Sequence, residues 1–361
     1  MDMKLFKQRY LGKFALLLIM IAVLSSCSTF GYYYQAVSGH MDLVSKERPI
    51  DEVISDSETS AQLKQKLNLA KQAREFASSE LGLPDNDSYK TYADLERSYV
   101  VWNVIATPAY SIKAKKWCFM IVGCISYRGY FDEKDAVELA NELKTEGLDV
   151  QVSGATAYST LGYFDDPLLN TMMAHSDASL VGIIFHELAH QVIYIEGDTA
   201  FNEAFASAVE QEGLRRWFAG QSDAEQYNRY LSTKQTKHEF YQLLKKTRVA
   251  LQAAFEQAQT DSEKLATKQK IYAQLQQDYT QWRDQTNFYA YDNWMQRDLN
   301  NAHLALIATY QDLVPGFLTL LATLKGDLPA FYKKVSELGE LDKDQRNEQL
   351  TAFKTLKIGL K

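Results

Sequence analysis

The chain has little of several things that would commit it to a large functional class. It carries 39 Lys and Arg against 46 Asp and Glu, a formal net charge of −7, and no polybasic block follows the N-terminus. Nucleic acid is therefore excluded as a principal partner. The apolar run Phe14 to Leu24 falls short of the ~20 residues a spanning helix needs. Cysteine occurs three times and histidine six times in 361 residues, so a close pair of either is worth a reason. Disorder is excluded for the body of the chain by 46% hydrophobic and 24% charged residues, and the length allows a sizeable core in one domain or two.

What is present centres on Val181 to Gly213, VGIIFHELAHQVIYIEGDTAFNEAFASAVEQEG. His186, Glu187 and His190 form H-E-x-x-H. Residues four apart share one helix face, so His186 and His190 can close on one ion while Glu187 addresses the same opening. Zinc suits two imidazoles and a carboxylate, with a fourth position left for water. Gly197 breaks the first apolar helix, Asp198 and Thr199 can cap a second, and Phe201, Phe205, Ala208 and Val209 continue it. At 1.5 Å per residue, His190 lies about 10 Å before the turn and Glu203 about 9 Å after it, at one level, which makes Glu203 the expected third ligand. Glu210 falls roughly 20 Å beyond the turn and Glu196 at the turn itself. By chance this composition yields an H-E-x-x-H on the order of once in a hundred such chains, without the apolar flanks or the matching Glu.

The N-terminus reads as a secretion signal: Lys4, Lys7, Arg9 and Lys13, then the apolar run, then Leu24-Ser25-Ser26-Cys27, which resembles a bacterial lipobox. Cys27 is expected to be acylated and to begin the mature chain, anchoring it to a membrane. Ser28 after it resembles outer-membrane sorting in Gram-negative bacteria, facing the periplasm. Cys118 and Cys124 remain, and in an oxidising compartment an isolated pair is most simply a disulfide. Their spacing requires Phe119 to Gly123 to turn.

Along the chain, Gly31-Tyr32-Tyr33-Tyr34-Gln35 is an aromatic cluster without helical spacing. Ser57 to Leu81 repeats apolar residues at three and four, as a core-facing helix does. Tyr99 to Ala106, Trp117 to Val122 and Val150 to Thr160 read as strands, with a helix between Asp132 and Gly147. Asp166-Pro167 is a cap-and-N1 pair for a short helix ending near His175. Tyr158, Ser159 and Thr160 are candidate substrate-binding residues, on the expectation that a sheet edge before the motif helix pairs with peptide backbone. Ala224 to Asp284 reads as a long helical hairpin broken at Thr260-Asp261-Ser262, polar outside, with His238 exposed. It could cover the site, bind a partner or buttress the fold. The last segment runs from Asn300 to Tyr310 and on to Phe317, ended by Pro315, and supplies two candidate oxyanion donors, Tyr310 and His303. The expected organisation is a signal peptide over 1–26, an anchor and linker over 27–56, an α/β core with the motif over 57–222, and a helical hairpin with C-terminal helices packed on it over 223–361.

HELAHQ and FNEAFA, together with a WC pair, C-x-S-Y-R-G-Y-F and A-Y-S-T-L-G-Y-F-D-D-P upstream, resemble the bacterial putative aminopeptidase family of predicted zinc metallopeptidases, over nearly all of the mature chain. The resemblance implies an α+β, zincin-like core with a small sheet. It implies His186, His190 and Glu203 as zinc ligands and Glu187 as catalytic base, as in the wider gluzincin group, although the connection from His190 to Glu203 is shorter than usual there. Peptide is the implied substrate. Aminopeptidase action rests on the resemblance alone, and Asp165, Asp166, Glu196 and Glu210 are all open as seats for a substrate ammonium. Two rival readings remain: an envelope lipoprotein that binds zinc structurally and acts on a protein partner through its hairpin, and an amidase of cell-wall peptides. Glu187 separates the first rival from an enzyme, because a structural zinc site has no use for it.

Overall fold

The computed structural model describes residues 31–119, 123–160, 162–221, 224–307 and 313–355. Cys27, the segment before it and Tyr310 lie outside these residues. The fold is mixed α+β, mostly helical, with three small sheets. At its centre is the motif helix, Asp177–His190, capped by Ser176, whose hydroxyl accepts the Ser179 N–H at 3.3 Å. Leu180, Val181, Ile184, Phe185 and Leu188 are each at most 1% exposed. Each such side chain contributes about 1.5–3 kcal/mol by leaving water, so this helix can sit only inside a core. It is packed between the helices Ala61–Ser79 and Thr199–Gln221.

The helix Ala61–Ser79 buries Leu67, Ala70, Ala73 and Ala77, as its apolar spacing requires, and begins after Ser60, whose side chain accepts from the Leu63 N–H. Its buried Arg74 donates to the carbonyls of Pro84, Asn86 and Ser88, each at 2.8 Å, and thereby fixes the loop that follows. The largest sheet places Val101–Pro108 between Arg128–Tyr130 and Leu148–Ala155, all antiparallel. Successive side chains on a strand alternate faces. Trp102, Val104 and Ala106 meet the helix Glu133–Thr145, which Asp132 caps, while Ile105 meets Ala302 and Ala305 of the short helix Asn301–Ala305. A second sheet joins Glu47–Pro49, Thr91–Ala93 and Leu168–Leu169.

The hairpin consists of Ala224–Gln257 and Asp261–Thr286, the second opened by a reciprocal capping box between Thr260 and Glu263. It has its own apolar cluster, in which Phe240, Leu244, Leu251, Leu275, Tyr279 and Trp282 are joined by Met295 and Leu304. The C-terminal helices Val314–Thr323, Leu328–Gly339 and Lys343–Thr355 instead return to the motif helices: Phe317 and Phe331 pack on Phe205, and Leu350 shares that cluster. No helix of the described residues is long and apolar enough to cross a membrane.

Three local expectations are corrected. Residues 31–45 form one helix. Its inward face is Tyr32, Ala36 and Gly39, each half-buried, with buried Leu43, and the small members of that set carry too little hydrophobicity to show a period. Asp166 does not cap a helix, because its carboxylate accepts the Thr160 N–H at 2.9 Å and Leu168–Leu169 pairs with Tyr92 and Ala93 as a parallel strand. The following helix is only Asn170–Met173. Pro315 opens the helix Val314–Thr323 rather than ending one, since a first-turn position has no helical partner for an N–H in any case.

Candidate metal centre

The turn between the two motif helices is held from within. Gly197 adopts φ +74°, a left-handed conformation that residues with a Cβ rarely take. Asn202, 1% exposed, accepts the Ile195 N–H through Oδ1 and donates through Nδ2 to the Ile195 carbonyl, both at 2.8 Å. Asp198 is buried in an ion pair with Arg346, 3.0 Å, with Lys343 also at 3.0 Å, which ties the turn to the last helix. Glu203, the residue after the clamping Asn202, is therefore delivered from a fixed backbone.

Its carboxylate meets both histidines. His186 Nε2 lies 3.3 Å from Glu203 Oε2, and His190 Nε2 lies 3.7 Å from Glu203 Oε1. One donor atom from each of the three residues can be chosen so that all lie within 4.8 Å of one another. Two ligand atoms bound at about 2.0–2.1 Å to a tetrahedral zinc are about 3.4 Å apart, close to the two separations that Glu203 makes; the donor set suits that ion in kind, and its 4.8 Å spread has to close slightly for all three atoms to reach one ion. His186 is oriented from behind: its Nδ1 is 3.3 Å from Glu210 Oε2. Gly182 makes room for this, since a Cβ there would stand 3.2 Å from the Glu210 carboxylate. Glu210 thus belongs to the site as the carboxylate that aims a ligand. It is seven residues, two turns, beyond Glu203 on the same face, a spacing visible in the sequence once the helix is granted. The buried Nδ1 of His190 has no partner among the described residues.

Electrostatically the centre is a nest of carboxylates around two imidazoles. Burial disfavours a charge on His186, but Glu203, Glu210 and Glu187 outweigh it and hold the imidazole well above its ordinary range. The same contacts hold Glu203 and Glu210 low against the pull of burial. Burial, with the neighbouring His186, takes His190 down to about 4. Glu187 is pushed up to about 7 by burial, with Glu203, Asp166 and Glu210 acting in the same direction. A cation is the one component that would relieve all of these groups together.

Three tyrosines among the described residues stand in the field of Glu187 or Glu203. Tyr89 is fully buried and senses Glu187 and Asp166, Tyr194 senses Glu203 and Glu196, and Tyr127 senses both Glu203 and Glu187; burial is the main cause that raises each phenol. Tyr89 is presented by the loop that Arg74 holds, and Gln191, the last residue of HELAHQ, bonds Ser88 and Asn86 in the same loop. Tyr127 belongs to C-x-S-Y-R-G-Y-F, so only the resemblance, and no spacing, could have marked it. Along the Glu210 side runs the first hairpin helix: Lys234, its amine taken down to about 8 by burial, and Lys237 both act on Glu210, and Lys237 also acts on His175.

The other expected site residues are distributed as follows. Cys118 and Cys124 face each other across the hairpin Trp117–Phe119 and Gly123–Ile125 and are bonded, Cα to Cα 3.9 Å. The tip of that hairpin, at Gly123, rests on Glu196. Tyr158, Ser159 and Thr160 are in no strand: the strand stops at Ala155, and the chain folds into a turn closed by Asp166 on the Thr160 N–H and by the Thr160 hydroxyl on Phe164. The peptide-binding edge expected there is therefore absent from these residues. His303 is not placed as an oxyanion donor, because it is buried against Trp294 and its Nδ1 accepts the Asn300 N–H at 3.2 Å, capping a helix. Of the four acids considered for an ammonium, Asp165 and Glu196 are exposed, Glu210 is engaged by His186, and Asp166 is 1% exposed with one oxygen taken by Thr160. His238 is exposed, as expected.

Comparison with known proteins adds one finding. No curated protein and no solved structure matches the chain. A family model described as "Putative aminopeptidase" matches residues 31–350, which takes in the motif helices, the disulfide hairpin, the long helical hairpin and most of the C-terminal helices. By that match, over most of its length, the chain belongs to the putative aminopeptidase family.

Proposed function

We propose that the chain is a zinc-dependent peptidase of zincin-like construction, anchored by acylated Cys27 in the envelope of a Gram-negative bacterium, on the periplasmic side of the outer membrane. The observation that carries the enzymatic part is the convergence of His186, His190 and Glu203 donor atoms within 4.8 Å, on two helices whose connecting turn is independently clamped. The family adds peptidase activity as the class of reaction.

Zinc bound by these three residues supplies Lewis acidity toward a peptide carbonyl and toward a water molecule. The remaining work belongs to side chains of this chain. Glu187 accepts a proton from the attacking water and returns it to the leaving amine. Glu210 keeps His186 oriented with Nε2 toward the centre. Tyr310, outside the described residues, stays a proposed donor to the oxyanion, and Tyr127, which lies in the field of both Glu203 and Glu187, is a second one. Cleavage from a free N-terminus is the family's implication, and equal turnover of N-acetylated and free peptides would rule it out.

Glu187→Gln is the decisive substitution. Hydrolysis of a peptide library by the soluble chain beginning after Cys27 should fall by at least ~100-fold with zinc content unchanged. Retained hydrolysis would sink the mechanism. A chain that hydrolyses nothing in either form while it keeps its zinc would favour the structural-zinc lipoprotein.

A further inference from the structure

The helix of residues 31–45 has apolar side chains on two opposite faces. One face is packed: Leu43 is 1% exposed, Tyr32 lies against Tyr130 and Phe119, and Gln35 bonds the backbone of Gly129 and Phe131. The other carries Tyr34, Val37, Met41 and Val44, spaced three, four and three, which are 67, 58, 59 and 42% exposed. Residues at that spacing lie in one stripe. Single exposed apolar side chains are ordinary, but a row of four is not.

The stripe continues on a second segment. His40 lies beside Val37 and Val44 on the helix surface, and its ring is 4.8 Å from that of Phe164. Phe164 and Tyr163 are 58 and 70% exposed at the tip of the turn that Thr160 and Asp166 close. Two separate parts of the chain thus present one outward apolar surface, and the second of them carries Asp166, whose charge reaches Glu187.

The sequence indicates what this surface meets. Tyr34 is the seventh residue after Cys27, and seven residues span at most about 25 Å when fully extended. An acyl chain on Cys27 would therefore keep the stripe within reach of the bilayer. With a net charge of −7, attraction to anionic headgroups is a poor explanation, and insertion of apolar side chains is the better one. We propose that Tyr34, Val37, Met41, Val44, Tyr163 and Phe164 form a membrane-docking face that lies in the headgroup region of the lipid bilayer. This goes beyond the peptidase reading and uses the lipid anchor only to argue proximity. Docking fixes the molecule's orientation on the membrane and sets the turn that Asp166 closes against lipid.

The test replaces the acyl anchor with an N-terminal polyhistidine tether. Residues 28–361 are held on phosphatidylethanolamine and phosphatidylglycerol vesicles that contain a nickel-chelating lipid, with an environment-sensitive fluorophore on Met41→Cys or, as a control, on exposed Glu58→Cys. Fluorescence at position 41 should rise at least threefold on tethering and be quenched by brominated lipid, while position 58 stays unchanged. Val37→Asp with Val44→Asp should abolish the rise without lowering the melting temperature or the tethered amount. Equal behaviour of positions 41 and 58 on vesicles would overturn the proposal. So would a rise at 41 without vesicles that grows with protein concentration, because a second copy would then cover the face. Acylation of Cys27 is read separately, by fatty-acid labelling of the full chain and its loss in Cys27→Ser, so the two readings can fail independently.

Discussion

Replacing Asn202 by Ala removes both hydrogen bonds that close the turn at Ile195 and leaves an N–H and a carbonyl of that partly buried residue without their partner. Each bond has a net worth of about 1–1.5 kcal/mol, so the substitution should cost about 3 kcal/mol in all. Asn202 touches neither histidine, yet it fixes the backbone that presents Glu203. If all of that cost appeared as looser placement of Glu203, zinc affinity would fall by at most roughly 150-fold, and loss of a supporting contact around a metal typically costs about 10–100-fold. Competition with a chromogenic chelator reads the affinity, and the melting temperature in excess chelator reads the stability of the metal-free chain. Both should fall. A variant that melts lower but binds zinc as tightly as the parent would refute the link between the clamp and the centre.

Glu210→Gln keeps an acceptor for His186 Nδ1 but removes the charge behind it, and zinc affinity should fall by about tenfold with little change in melting temperature. His303 contributes one part of the pH dependence, beside His190, which burial also takes down to about 4. Burial, with Arg297 nearby, takes His303 down to about 4 from an ordinary 6.5, and only its neutral form can accept the Asn300 N–H. Between those values the unfolded chain binds the extra proton, so the stability that His303 contributes is present above about pH 6.5 and is lost as the pH falls toward 4, by up to about 3 kcal/mol. His303→Gln retains a side chain suited to the capping box and should reduce the fall of the urea midpoint across that range; an unchanged slope would contradict the assignment.

The convergence of the three candidate ligands was legible in the sequence because helix geometry is nearly rigid. His186 and His190 share a face, and a turn at Gly197 brings a residue about six positions later to the same depth, so Glu203 followed from spacing alone. Glu210 was passed over because distance from the turn was measured to the ion and not to the far nitrogen of His186. Tyr127 and Tyr89 come from loops whose placement depends on Arg74, Gln191 and the disulfide hairpin, and no periodicity encodes those long-range contacts. The helix at Asp132 was readable from its N-cap side chain, whereas the helices that Ser60 and Thr260 cap were read from apolar spacing and from the break at Thr260. The same reasoning misread Asp166, where a carboxylate that could cap a helix closes a turn instead, and Pro315, where one residue type fits the start of one helix and the end of another. The helix of residues 31–45 escaped notice because half of its inward face is Ala36 and Gly39.

The central claim is that one zinc ion sits among His186, His190 and Glu203. Anomalous scattering at the zinc edge, from crystals of the chain beginning after Cys27 grown with zinc, addresses it most directly. A single strong peak is expected about 2.0–2.1 Å from His186 Nε2, His190 Nε2 and a Glu203 carboxylate oxygen, and no peak in His190→Ala. No peak in the parent chain, or one coordinated by other residues while these three remain unligated, would contradict it.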